Sequence, residues 1–381
     1  MKSNYKKLGD YIRLIDERNK DDKVTRLLGV SIEKKFIESI ANTVGTDMSV
    51  YKIVRKGQFA YGPVTSRNGD KVSIALLQEE ECIISSSYTV FEIIDTSKLL
   101  PEYLNLWFKR PEFDRYARFH SHGSAREIFD WDEMCNVELP IPELDEQKKI
   151  VEAYSIIEKR IEIKRQINDN LESQALTLFH IKFQSRFDNL PDNWTKTTAN
   201  AIFDVSIGKT PPREHIELFT SNPQDMLWVS ISDIREQGMF IRSTKEYLTA
   251  DAVKDYSVKI IPANTVIYSF KMTNGKTSIT TQPTTTNEAI AHFVTFRKEI
   301  VPYTYFYLRS FKFSSFGSTS SITEAVNSKI IKNMDFILPT NTEIIDFNRI
   351  ALPLMASIKS NLQEIVKLTD MQTTLLSILS H

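Results

Sequence analysis

The chain has 381 residues, enough for two or three domains. Its 41% hydrophobic and 25% charged residues are an ordinary globular balance, which excludes a disordered or fibrous chain. A formal net charge of −1 excludes a whole-chain basic attraction to nucleic acid, so any such contact has to come from local patches.

Taken from the start, Met1–Lys20 (MKSNYKKLGDYIRLIDERNK) has no apolar core, so no secretory leader is expected. No apolar run approaches the ~20 residues that a membrane-spanning helix needs. Cys82 and Cys135 sit in unrelated contexts. Two such cysteines make neither a disulfide framework nor a metal site, and they suit a reducing, cytoplasmic location. The runs KVSIALL (71–77) and CIISSSYTVFEII (82–94) are rich in β-branched and aromatic residues and read as strands. An amphipathic helix is expected over Pro101–Arg118. From Leu139–Pro140 the chain enters one long charged helix. A 4-3 spacing on it picks out Ile150, Tyr154, Ile157, Ile161, Lys164, Asn168, Leu171, Ala175 and Leu178. FDNLPDNW (187–194) carries turn residues and marks a boundary. Beyond it MLWVSI (226–231) and NTVIYSF (264–270) read as further strands. A second helical stretch shows the same spacing at Ile358, Leu362, Ile365, Thr369, Gln372, Leu376 and Leu379.

The two halves repeat one order of features. Tyr103, Gly123, Met134 and Leu139 have counterparts in Tyr303, Gly317, Met334 and Leu338, each roughly 200 residues on. A period this long means duplicated domains, since solenoid repeats run to ~20–50 residues. Four segments follow: a globular domain over 1–140, a helical spacer over 141–186, a second globular domain over 187–338 and a second helix over 339–381. The expected fold class is α+β, with two similar mixed α/β domains separated by two long antiparallel coiled-coil helices, a pseudo-twofold internal repeat.

Both helical seams are apolar at their ends and polar near the middle, the pattern of a coiled coil whose central polar residues fix register. Two arrangements fit that pattern. Each helix packs on its own domain, or the two pair antiparallel as a rod of roughly 50 Å, which matches about 15 base pairs of duplex. Pro353 is expected to kink the second helix or to mark its start.

Motifs of catalysis are hard to find. Gly208-Lys209-Thr210 lacks the glycine that a phosphate-cradling loop needs, because Phe203 stands there. TPPR (210–213) is not the Pro-Pro run of an amino-methyltransferase, and no Asp/Glu-x-Lys follows Pro191-Asp192. His120 and His122 have a poor metal-ligand spacing for a helix.

LPIPELDEQKKIV (139–151) resembles the central region of the DNA-specificity subunit of type I restriction-modification systems, an LP-x-P-x-x-x-E-Q-x-x-I run that opens a long helix. IFDVSIGKTPPREH with LWVSISDI, and GSAREIFDWDEM, are similar to other parts of that family's sequences. LPTNTEIIDFNRI (338–350) departs from the pattern: it lacks the second proline and the Glu-Gln pair. The resemblance implies a chain without catalysis of its own. Each target-recognition domain would read one half of a split, asymmetric double-stranded DNA site, and the helices would set the gap. Two methyltransferase subunits and a restriction/translocase subunit would dock, with Glu146, Gln147, Ile150 and Tyr154 at a partner contact. S-adenosylmethionine, ATP and Mg would belong to those partners, and no cofactor to this chain. Two other readings are a specificity region split from a fused type II restriction-methyltransferase enzyme, and a coiled-coil interaction scaffold.

Phosphate contacts need cations and hydroxyls, and base readout needs Arg, Lys, Asn, Ser or Thr. Within 109–126 this singles out Arg115, Arg118, His120, Ser124 and Arg126. In the second domain it singles out Lys209, Arg213, Lys271, Asn274 and Lys276, with Ser318 and Thr319 at the repeat position of the first domain's Gly-Ser loop. A plain alternative stands beside each: a solvated basic helix face for the first group, and a hairpin turn at Asn274-Gly275.

Overall fold

The computed structural model describes residues 5–39, 45–66, 69, 71–123, 127–271, 275–311 and 328–379. The sequence repeat has a direct structural form. Tyr5–Lys7 pairs antiparallel with Glu138–Pro140, and Thr195–Thr198 pairs antiparallel with Asp335–Leu338. Each pair joins the start of a globular segment to the strand that feeds a long helix. The repeated tyrosines lock both pairs in the same way. The Tyr103 hydroxyl donates to the Pro140 carbonyl at 3.0 Å, and that of Tyr303 donates to the Ile337 carbonyl at 2.6 Å. Met134 and Met334 are both fully buried.

The chain divides into two units, Met1–Ile163 with Glu364–His381, and Lys164–Gln363. In the first, a four-stranded antiparallel sheet runs in the order Ile12–Ile15, Thr89–Ile93, Phe59–Tyr61, Ile74–Leu76. Its strands other than Ile12–Ile15 are largely buried on both faces, and the period of two sorts them by size. Phe59, Tyr61, Ile74, Leu76 and Phe91 face one core, while Ala60, Ala75 and Val90 face the other. The large-residue face stacks Phe59 on Phe91 at 5.0 Å and receives Phe108 edge-on from the helix Pro101–Phe108. The second unit has a five-stranded sheet in the order Asp204–Ile207, Ile290–Val294, Val266–Ser269, Thr277–Thr280, Phe240–Ile241, with a four-stranded sheet beside it in sequence. The helix Val301–Ser310 is buried over nearly all its length, which explains its aromatic run as core.

The single helix expected over Pro101–Arg118 is in fact two, Pro101–Phe108 and Pro111–Phe119. Pro111 is the cause. The residue before a proline is pushed to extended backbone, and Arg110 has ψ 138°.

The two long helices are Leu144–Lys182 and Asn341–Ile378. A capping box starts the second: Thr340 Oγ1 accepts from the Glu343 N–H at 3.3 Å, and Glu343 Oε2 accepts from the Thr340 N–H at 3.2 Å. Pro353 therefore does not mark its start and lies inside it. Within each unit the helices pack antiparallel, and they also enter the unit's core. In the first, Arg160 pairs with Glu364, while Ile150 and Tyr154 share a cluster with Leu375, Leu376 and Leu379. In the second, Phe179 meets Phe347, and farther back along the first helix Asn168 meets Asn361. The polar layer expected mid-seam is present there. Asn361 Nδ2 donates to Asn168 Oδ1 at 2.9 Å, and Lys164 Nζ donates to Asn361 Oδ1 at 3.0 Å. One seam residue differs from expectation. Thr369 is exposed, its hydroxyl bonded back to the Ile365 carbonyl, and Leu368 is buried in its place. The slip is local, since Gln372 and Leu376 are half-buried and Leu379 is buried, as the spacing expects.

Candidate nucleic-acid interface

The nine-residue helix Pro111–Phe119 is built for its ends. Proline opens it, Glu112 and Asp114 lie in the first turn, and Arg118 in the last, as the helix dipole favours. Phe113 and Ala117, four apart, bury its inner face. Asp114 faces inward as well, and it organises the surroundings. Its Oδ1 accepts from the Val72 N–H at 2.9 Å and from the ammonium of Lys34, whose Nζ also donates to the Val72 carbonyl at 2.6 Å. Lys34 sits at φ 59° in the tight turn that joins Leu28–Val30 to Phe36–Glu38. Burial holds its ammonium below the ordinary lysine value, while Asp114 pulls the other way.

This buried pair clamps the turn against the helix, and a cleft of about 870 Å³ opens over it. Lys35, Lys71, Lys109, Arg115 and Arg118 line the cleft, against Glu33 and Glu158 at its rim. Four of the cations have acidic partners: the more buried Lys109 with Glu158, and at the surface Lys71 with Glu33, Arg115 with Glu112, and Arg118 with Glu127. Exposed ion pairs of this kind contribute ~0–1 kcal/mol, so a phosphate can replace the carboxylate at little cost.

Of the residues expected to touch nucleic acid in the first domain, Arg115 and Arg118 line the cleft. His120 stacks on Tyr116 with ring centroids 4.2 Å apart, and its Nδ1 lies 3.0 Å from Glu133 Oε2. His122 approaches the same carboxylate at 3.9 Å. Among the described residues no group of three His, Cys, Asp or Glu side chains is placed to hold a metal. Ser124, Arg126, Asn274, Ser318 and Thr319 lie outside the described residues.

In the second unit the expected cations are dispersed. Arg213 is held by two hydrogen bonds to Glu246, at 2.7 and 2.9 Å, and lies over the rings of Phe219 and Trp228. It shares a smaller cleft of 310 Å³ with Ile216, Thr220, Ser221 and Lys245. The Lys209 ammonium is tied to the Tyr256 carbonyl at 2.6 Å. Lys271 and Lys276 flank the hairpin between Val266–Ser269 and Thr277–Thr280, where the Gly275 N–H donates to the Ser269 carbonyl at 3.1 Å. The Gly208 loop lies against Thr286 and Asn287 so closely that a Cβ would stand 2.0 Å from Thr286 Oγ1.

Two expected partner-contact residues are corrected. Gln147 is fully buried. Its Nε2 donates to the Lys98 and Pro142 carbonyls, both at 2.8 Å, and its Oε1 accepts from the Leu100 N–H at 2.9 Å. It fastens the long helix to its own unit. Tyr154 is buried too, under the Lys109 ammonium at 4.8 Å. Glu146 is exposed and Ile150 is half-buried against the core. The sequence reading missed Lys34, Lys35, Lys71 and Phe119. Three lysines in two surface turns carry no spacing signal, and only the fold brings them beside Arg115.

His292 offers a test of the second unit. Both ring nitrogens are engaged, Nδ1 with Ser206 Oγ at 3.0 Å and Nε2 with Thr286 Oγ1 at 2.7 Å. Burial pushes its pKa down from 6.5 to about 3. The unfolded chain therefore binds the proton first. Stability is full above pH 6.5 and falls below it, by about 1.4 kcal/mol per pH unit for this group. Thermal unfolding between pH 7 and pH 5 is expected to show this slope in the wild type and less of it in His292→Gln. Equal slopes would remove the assignment.

Comparison with known proteins decides the family. The family model described as "Type I restriction modification DNA specificity domain" matches twice, over residues 34–173 and 191–349. The chain belongs to the type I restriction-modification DNA specificity family. Its relatives include the type I restriction enzyme HindI specificity subunit of Haemophilus influenzae, 20% identical, with 97% of this chain and 96% of that protein covered. The MjaIX specificity subunit of Methanocaldococcus jannaschii is 22% identical over 74% of this chain and 69% of its own length. The crystal structure of the type I restriction-modification S subunit from M. genitalium covers 99% of this specificity chain and 96% of its own, at 15% identity and a TM-score of 0.53, a likeness of fold. Among the described residues no helix is long and apolar enough to cross a membrane.

Proposed function

We infer that this specificity chain reads a two-part asymmetric site in double-stranded DNA, one half with each globular unit, and that its paired long helices set the gap. It carries no catalysis of its own. Two methyltransferase subunits and a restriction/translocase subunit dock on it in the cytoplasm, and S-adenosylmethionine, ATP and Mg bind in those partners. What supports this most is that the family match occurs twice, one stretch beginning in each unit, with a cation-lined cleft in the first and a smaller polar one in the second. The partner contact does not run through Gln147 or Tyr154. Exposed apolar residues on the long helices, Ile156 and Ile163 on the first and Met371 and Ile378 on the second, offer better ground.

The test is a selection of duplexes from a random pool by the chain co-purified with its methyltransferase partner. The selected duplex is expected to bind with an affinity that falls at least ~100-fold between 50 and 200 mM salt, as several phosphate contacts require. Binding that ignores salt, or no enrichment from the pool, would contradict the reading.

A further inference from the structure

The cleft of the first unit holds a feature that phosphate binding does not use. Phe119, the last residue of the helix Pro111–Phe119, leaves 81% of its surface in water. Among the described residues its ring meets only the neighbouring His120, edge-on at 5.2 Å. Ile32, on the same cleft, is 38% exposed. Exposed apolar residues occurring singly are ordinary. Here the residue lines the same cleft as Lys35, Lys71, Arg115 and Arg118, groups able to hold the phosphates of a duplex. A ligand gripped through its phosphates presents its base edges to whatever stands between the grips.

We propose that Phe119 is a sequence-reading contact of the first unit, its ring packing against the 5-methyl group of a thymine in one half-site. The proposal rests on the DNA-reading function above. Among the base edges of the major groove, the thymine methyl is the one apolar feature, and an aromatic side chain without a donor or acceptor selects for it. The flanking cations position the duplex and carry no sequence information themselves. Exposure alone does not make such a contact. Phe296 in the second unit is 100% exposed, yet it lines neither cleft, and the guanidinium of Arg297 beside it is bonded to Glu299 and to Asn341 at the start of the second long helix. It serves as the control.

The experiment uses the chain co-purified with its methyltransferase partner and the duplex that the assembly selects. Failure to select any duplex counts against the function, separately from this proposal. Each thymine of the site is then replaced by deoxyuridine. At one position in one half-site the wild type is expected to lose about fourfold in affinity, the effect of one buried methyl. Phe119→Ala is expected to bind the parent duplex less tightly and to lose the sensitivity at that position, Phe119→Leu to keep part of it, and Phe296→Ala to behave as wild type. The thermal midpoint of Phe119→Ala should match the wild type. The proposal is overturned if deoxyuridine has the same effect on wild type and Phe119→Ala at every position. It is overturned equally if Phe296→Ala mimics Phe119→Ala, or if Phe119→Ala lowers the midpoint, which would make the ring a packing residue.

Discussion

Replacing Asp114 by alanine is expected to destabilise the first unit by about 3–5 kcal/mol, the range for breaking a buried ion pair by removing one partner. The side chains of Lys34 and Asp114 are only 6% and 12% exposed. Without the carboxylate, the buried Lys34 ammonium keeps its bond to the Val72 carbonyl but loses its ion-pair partner, and the Val72 N–H loses its acceptor. The turn carrying Lys34 and Lys35 then loses its ion pair to the helix Pro111–Phe119. Denaturant unfolding followed by the tryptophans of this unit, Trp107 and Trp131, measures the loss. A double variant, Lys34→Met with Asp114→Leu, is expected to recover only part of it, because it removes the unpaired charge but takes away these partners of the Val72 N–H and carbonyl. A cost below 1 kcal/mol for Asp114→Ala would show that the pair does not shape the cleft.

The second large effect is expected at Phe179. Its ring is fully buried in the second unit, with ring centroids of Tyr303 at 5.4 Å, Phe183 at 5.6 Å, and Phe306 and Phe347 each at 6.3 Å. It belongs to the first long helix and Phe347 to the second, so the residue joins the helix pair to the core beneath. Phe179→Ala is expected to cost about 3–5 kcal/mol, the transfer of the ring plus the cavity it leaves. The reference is Ile181→Ala on the same helix and in the same unit, 68% exposed, expected within about 0.5 kcal/mol of wild type. Unfolding reported by Trp194, which packs on Phe183, should shift to lower denaturant in the first variant and not in the second. Equal midpoints would mean that the helix lies on its unit without anchoring there.

The contrast between Phe179 and Thr369 shows where the sequence was legible. Helix content, the mixed domains and the repeat came through because apolar periodicity and aromatic clusters follow directly from burial. Tyr103 and Tyr303, roughly 200 residues apart, bond to corresponding strands in the two units. The seam was readable near its polar middle at Asn168 and off by one position at Thr369, where the apolar Leu368 beside it is buried instead. The break at Pro111 was available from its effect on the preceding residue and was overridden by the amphipathic pattern around it. For the site, Arg115 and Arg118 were singled out because residue type and local density mark a basic helix, and both line the cleft. Lys34 was out of reach, since a buried ammonium in a surface-looking Glu-Lys-Lys turn depends on an aspartate about 80 residues away. Gln147 was misassigned for the opposite reason. Its place in a family motif suggested a partner, whereas its three hydrogen bonds serve the unit that carries it.

Genome-wide mapping of DNA methylation in the host, with and without this gene, tests the central claim most directly. The account predicts a modified motif of two short specified blocks separated by a constant number of unspecified bases, present in the wild type and absent after deletion. A single uninterrupted block, a gap of variable length, or a motif that survives deletion of the gene would contradict it.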